Sequence, residues 1–207
     1  MNRLAIIALV ALGFAAPVNA EPMPYDIDAG HSRIWFDVSH QGYSIMRGLF
    51  RDFGGTFNYD ASDPTASSMD ITIDATSINM FHDGLNDHLK RDDFFGVETN
   101  PTLHFVSTGI QSTGNDQFTM QGDLTILGQT NSVSLDVTQN QFGQLGSGAD
   151  KVGFSASTSL DRTDYGMTFG APNIGADVSI TIQIEATHGG GAPAGGMGMG
   201  MGMGMGQ

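Results

Sequence analysis

The sequence predicts an all-β chain of about eight antiparallel strands, arranged as a sandwich or a closed up-and-down barrel, with one partly helical connection. Three observations carry this. Apolar and polar residues alternate almost everywhere between Ser32 and Ala186, the period of a strand with one buried face. Single-sided faces suit antiparallel neighbours, and short turns rich in Gly, Asn and Asp separate them. One stretch alone, His82–Pro101, loses the alternation, collects charge, and ends in two adjacent phenylalanines followed by a glycine and then a proline.

Taken in order, Met1–Ala20 is a leader. Arg3 supplies a basic start, an apolar run extends from Leu4 to Ala16, and Val18-Asn19-Ala20 fits the small-x-Ala cleavage pattern. The run is shorter than the roughly 20 residues of a membrane span. Cleavage after Ala20 would leave an exported protein, periplasmic or secreted, without stable membrane insertion. There is no cysteine, hence no disulfide and no lipidated cysteine at the cleavage site. Losing Arg3 takes the formal net charge from −14 to −15. A chain this acidic is repelled by phosphate backbones, which excludes nucleic acid as a partner.

The first strand follows, with Ile34, Phe36 and Val38 on one face. Gly48–Tyr59 reads as a long strand carrying Phe50, Phe53 and Phe57, with a bulge or bend at Gly54-Gly55. Met69, Ile71, Ile73 and Ala75 make the next face. In the charged stretch, Asn86–Phe95 is expected to form a few helical turns, capped by Asp83 or Asn86 and ended by Gly96. Phe94 and Phe95 then plug an end of the fold. Leu103 and Phe105 resume the alternation; Phe118, Met120, Gly122, Leu124 and Ile126 share a face; Gly128–Asn131 turns into Val133, Leu135 and Val137. Phe154, Ala156, Thr158 and Leu160, then Val178, Ile180, Ile182 and Ile184, complete the set. Small residues beside aromatics on these faces fit either a cavity or ordinary interlocking packing.

Six groups of residues, in order over most of the domain, resemble the YceI-like family. They are Tyr25–Asp28 with His31-Ser32, Phe36, Val38 and His40; Gly48, Phe50, Phe53 and Gly55, then Ser77-Ile78; Asn86–Leu89 with Asp93–Phe95 and Pro101; Phe105–Thr108; Gly122–Ile126 with Gly128; and Asp161–Met167. Lys90-Arg91-Asp92 and Gly96 depart from the family pattern, both within the connection. The resemblance implies residues 21–187 as an eight-stranded antiparallel lipocalin-like barrel with a partly helical lid. It also implies a non-enzymatic role in binding, transport or sequestration of a long-chain amphiphile, a polyisoprenoid, quinone-like molecule or fatty acid derivative. An eight-stranded barrel is just wide enough to hold one small ligand. At about 0.8 kcal/mol per buried methylene, two or three isoprene units support roughly micromolar binding after association costs. Parity of the strands selects Ile34, Phe36, Phe105, Phe118, Met120, Leu124, Phe154 and Ile182 as the lining, with Phe94 or Phe95 at the mouth. Core packing without ligand contact is the alternative reading at each.

No nucleophile elbow, phosphate loop, HExxH or dinucleotide fingerprint occurs, and no cofactor is called for. Asp161 and Asp164 around Arg162 read as an ion pair or cap in a turn. Residues 188–207 form a Gly/Met-rich tail expected to be disordered, with a reach of about 25 Å. His188 with Met197, Met199, Met201, Met203 and Met205 makes a candidate Cu(I) site, because soft thioethers suit that ion. A copper- or redox-stress protein acting through this tail is therefore the second functional reading. A homodimer is an open option for the barrel.

Overall fold

The computed structural model describes residues 21–189. Eleven strands form: β1 Met23–Ile27, β2 Arg33–His40, β3 Ser44–Phe50, β4 Phe53–Tyr59, β5 Ser68–Asp74, β6 Ile78–Asn79, β7 Thr102–Gly114, β8 Gln117–Ile126, β9 Gln129–Gln144, β10 Asp150–Asp161 and β11 Ile174–His188. All pairings are antiparallel in the order β1-β4-β5-β7-β8-β9-β10-β11-β2-β3-β6, and β1 also pairs with β11. That last pairing closes the sheet. The eleven strands make eight passages, because β1 and β2 both lie along β11: Asp26 faces Thr187 and Ile34 faces Ile182. Likewise β3 and β4 form one passage, and β5 and β6 another. The molecule is the closed eight-stranded antiparallel barrel expected.

Side chains replace the ladder where these passages break, since a buried backbone group without a partner is costly. Between β1 and β2, Asp28 Oδ1 accepts from the amides of Gly30 (3.0 Å) and His31 (3.3 Å), and the buried Ser32 Oγ accepts from the Glu185 amide at 3.0 Å. Between β3 and β4, Ser77 Oγ accepts from both Arg51 and Asp52 amides at 3.1 Å. The bend expected at Gly54-Gly55 therefore lies at Arg51-Asp52, and the β4–β5 ladder runs in register through both glycines. Gly55 has another role. Its φ is +148°, and a Cβ there would collide with the Asp70 carbonyl oxygen of the neighbouring strand. Gly55→Ala should destabilise the barrel by about 3 kcal/mol, read as a lowered urea midpoint; a loss below about 1 kcal/mol would contradict this packing.

Two further irregularities re-aim side chains. Thr108 on β7 and Asn140 on β9 are extra residues opposite their partners, so Ile110 faces Met120 and Phe142 faces Val152 despite the shifted parity. The connection from β6 to β7 covers one end of the barrel. Its helix α1 is Asp83–Leu89, shorter and earlier than the Asn86–Phe95 expected, and its N-cap is His82, whose ring nitrogen accepts from the Leu85 amide at 3.4 Å. Asn86 does not cap; its Oδ1 accepts from the Met80 amide at 2.6 Å. The helix stops because the chain folds back, with Phe95 N donating to Leu89 O (3.0 Å) and Gly96 N to Arg91 O (2.9 Å).

Candidate functional site

Inward faces of the eight passages enclose a cavity of about 160 Å³. Ile34 and Phe36 from β2, Phe105 from β7, Phe118, Met120 and Leu124 from β8, Phe154 from β10 and Ile182 from β11 all line it, so every parity-selected wall residue points inward. Phe36, Phe105, Phe154 and Ile182 are only half-buried although they face inward, because the surface they expose belongs to the cavity. The same wall includes Phe50, Phe57, Ile71, Ile73, Leu103, Leu135, Ile180 and Ile184, which the sequence reading did not select as lining. All eight are legible in the sequence as strand-face residues; that every passage contributes to one wall is not.

Phe94 and Phe95 stand apart from the wall. Phe94 is 5% exposed, beneath His88 and Phe169, whose rings meet it edge-on at 5.1 and 5.3 Å. Phe95 packs edge-on against Phe50 at 5.5 Å, one ring removed from the cavity. Both therefore close the lid end from behind rather than line it. Tyr25, Phe57 and Tyr59 close the opposite end, with Tyr25 and Tyr59 edge-to-face at 5.4 Å. The Tyr59 hydroxyl donates to Gln139 Oε1 at 2.6 Å, and burial first, then Tyr25, Asp60 and Asp116, push its pKa up to about 12. It stays a neutral donor.

The Asp161–Met167 run forms a 3-10 turn, Arg162–Tyr165, at the lid end. Asp161 caps it, accepting from the Thr163 amide (2.8 Å) and hydroxyl (2.6 Å), bonds that hold its carboxyl below the usual range. Among the described residues Arg162 makes no ion pair. It is 5% exposed, and its guanidinium donates to the carbonyls of Met167 (2.5 Å), Gly175 (2.8 Å), Phe169 and Ile174 (both 2.9 Å). Burial lowers its pKa, with Asp161 opposing.

His188, the described member of the candidate copper site, has Nδ1 hydrogen-bonded to the Pro24 carbonyl at 2.7 Å and its ring against Tyr25. Met197, Met199, Met201, Met203 and Met205 lie outside the described residues, as does the leader. Among the described residues one group of possible metal ligands converges, Asp28, His31 and Glu185, unselected by the sequence reading. Its members already have partners: His31 pairs with Asp28 at 2.7 Å and Lys151 with Glu185 at 2.5 Å. No described helix is long and apolar enough to cross a membrane.

The YceI-like domain model matches residues 25–186. A UPF0312 protein of Shewanella sp. strain ANA-3 is 30% identical over 187 residues, covering 89% of this chain and 98% of the relative. The crystal structure of Burkholderia cenocepacia BcnA superposes with a TM-score of 0.69 at 24% identity, over 77% of this chain and 99% of that one. A polyisoprenoid binding domain from Saccharophagus degradans, implicated in plant cell wall breakdown, shares the fold with a TM-score of 0.55 at 15% identity, over 78% and 97%.

Proposed function

The chain belongs to the YceI-like domain family, and from that premise we propose that its barrel binds a long-chain amphiphile, a polyisoprenoid, quinone-like or fatty acid derivative, and carries or sequesters it after export to the periplasm. The observation that carries this reading is the apolar cavity enclosed by all eight passages. A family relationship together with a fold neighbour described as polyisoprenoid-binding supports a lipid-type ligand and points to a binding protein rather than an enzyme.

Size adds a physical condition. A cavity of about 160 Å³ is on the scale of an engineered void that admits benzene. An isoprenoid of several units therefore needs the wall to yield, and Met69 and Met120, unbranched side chains lining the cavity, are suited to give way. The test is native mass spectrometry of the mature protein purified from periplasm, followed by organic extraction. A stoichiometric adduct that extracts as an isoprenoid or other amphiphile is the expected result; a clean apo mass that takes up no prenyl lipid on incubation overturns it.

The Met-Gly repeat favours one other reading, copper or redox-stress handling through the tail. Truncation after Gly189 separates the two while keeping the His188–Pro24 bond. Lipid binding should persist at full affinity, and any Cu(I) uptake should vanish.

A further inference from the structure

We propose that the cleft where β9 and β10 part is the lateral entrance of the barrel and the seat of the ligand's head, built for an uncharged head that both donates and accepts hydrogen bonds, an alcohol or amide, and against a phosphate. The proposal rests on the reading that the central cavity holds an apolar chain. It starts from the register. β9 stays paired with β8 to Gln129 opposite Ile126, and β10 stays paired with β11 to Asp161 opposite Asp177. Their own mutual ladder, however, stops at Asp136 opposite Ser157. Beyond that point the two neighbours separate, and the seam-facing backbone of each is left without a ladder partner.

A cleft of about 470 Å³ fills this gap. Its walls are hydroxyls, amide and carboxylates from Asn131, Ser132, Ser134 and Asp136 on one side and Ser159 and Asp161 on the other. Val133 and Thr158 line both this cleft and the central cavity, so the polar gap and the apolar interior meet at these two side chains. A chain entering there would leave its polar end among the hydroxyls.

One group in the cleft wall lacks an acceptor. Tyr165 is 2% exposed, and among the described residues nothing accepts a hydrogen bond from its hydroxyl. Asn131 faces that oxygen as a donor, and its side-chain amide also donates to the Asp164 carbonyl at 3.2 Å, bridging β9 to the 3-10 turn across the gap; the proton of the Tyr165 hydroxyl is what remains without an acceptor. A buried hydroxyl left unsatisfied is uncommon in a native fold and is explained by a group that completes it. Charge then selects the class of head. Asp136, Asp161 and Asp164 all line the cleft. The cation nearest in sequence, Arg162, has its guanidinium taken up by four backbone carbonyls. A phosphate would meet carboxylates without a compensating cation, whereas an alcohol can accept from Tyr165 and donate to a carboxylate or carbonyl.

The test uses delipidated mature protein and three probes with the same C15 chain: farnesol, farnesyl diphosphate and the hydrocarbon farnesene. Calorimetry should give farnesol at least tenfold tighter than the diphosphate. Tyr165→Phe should weaken farnesol about fivefold to tenfold, the scale of one neutral hydrogen bond, and leave farnesene unchanged, with an apo melting temperature no lower than that of the parent. Ser134→Arg should restore diphosphate binding. Diphosphate binding as tight as farnesol, or Tyr165→Phe with unchanged farnesol affinity, overturns the head seat while leaving the cavity reading intact. If none of the three probes binds, the cavity reading fails and this proposal with it.

Discussion

Arg162→Met is expected to cost the barrel about 4 kcal/mol, a large fraction of the roughly 5–15 kcal/mol that holds a domain folded. The side chain is a planar fork with five donors, and the fold directs four hydrogen bonds from it to the carbonyls of Met167, Phe169, Ile174 and Gly175. Met167 and Phe169 belong to the crossing from β10 to β11, and Ile174 and Gly175 to the first residues of β11, where its ladder with β2 is interrupted between Ile174 and Val178. Removing the guanidinium strands several of them in a buried setting, each costing roughly 1–3 kcal/mol, with less than additive effect because the loop will partly relax. Methionine keeps the stem's packing, so the deficit reports hydrogen bonding rather than a void. Arg162→Lys should recover only part of the loss, since an ammonium has three donors and no fork. Urea unfolding of the three proteins measures this. Arg162→Met within 1 kcal/mol of the parent would mean that the crossing holds itself.

The largest functional effect is expected from Ala156→Phe. Ala156 lies on β10 facing the cavity, between Phe154 and Thr158 on the same face, and is half-buried because the cavity is beside it. A phenyl ring at this position occupies the space that a chain would take. Excluding one isoprene unit, five carbons at about 0.8 kcal/mol each, is worth about 4 kcal/mol, so affinity for a prenyl probe should fall at least a hundredfold. The apo protein should lose no more than about 1 kcal/mol, because the added ring fills a void rather than crowding packed atoms. The discriminating measurement is a melting curve beside a binding isotherm: an intact melt with wild-type affinity would place the ligand outside the cavity.

How far the sequence carried the reading depends on what each residue reports. Alternation has period 2, so Ile34, Phe36, Phe118, Met120, Leu124, Phe154 and Ile182 could be assigned to the interior with no knowledge of the sheet order, and each does line the cavity. Phe105 kept its face because the extra residue Thr108 comes after it. Features that depend on a partner distant in sequence were not legible. Gly54-Gly55 looked like a bend, but the bend sits at Arg51-Asp52, where Ser77 from another passage supplies the acceptor. The helix began three residues early because a histidine, an uncommon cap, took a place that Asp or Asn usually fills. Arg162 read as half of an ion pair since aspartates flank it; local charge says nothing of four carbonyls that the fold delivers from up to 13 residues away. The parting of β9 from β10 leaves no trace in the alternation of either strand.

The closure of the barrel has a consequence in time. Asp26 meets Thr187 and Ile27 meets Ala186, so the first strand of the domain finds its second neighbour only in the last. The intervening passages can zip as hairpins while the chain is still being made, but the ring stays an open curl with two raw margins until the C-terminal strand arrives. Contacts of such sequence separation form slowly, and exposed margins invite pairing with other chains meanwhile. A protein stopped short of Ile174 would thus be a sticky sheet rather than a smaller barrel. Only the finished chain has an inside.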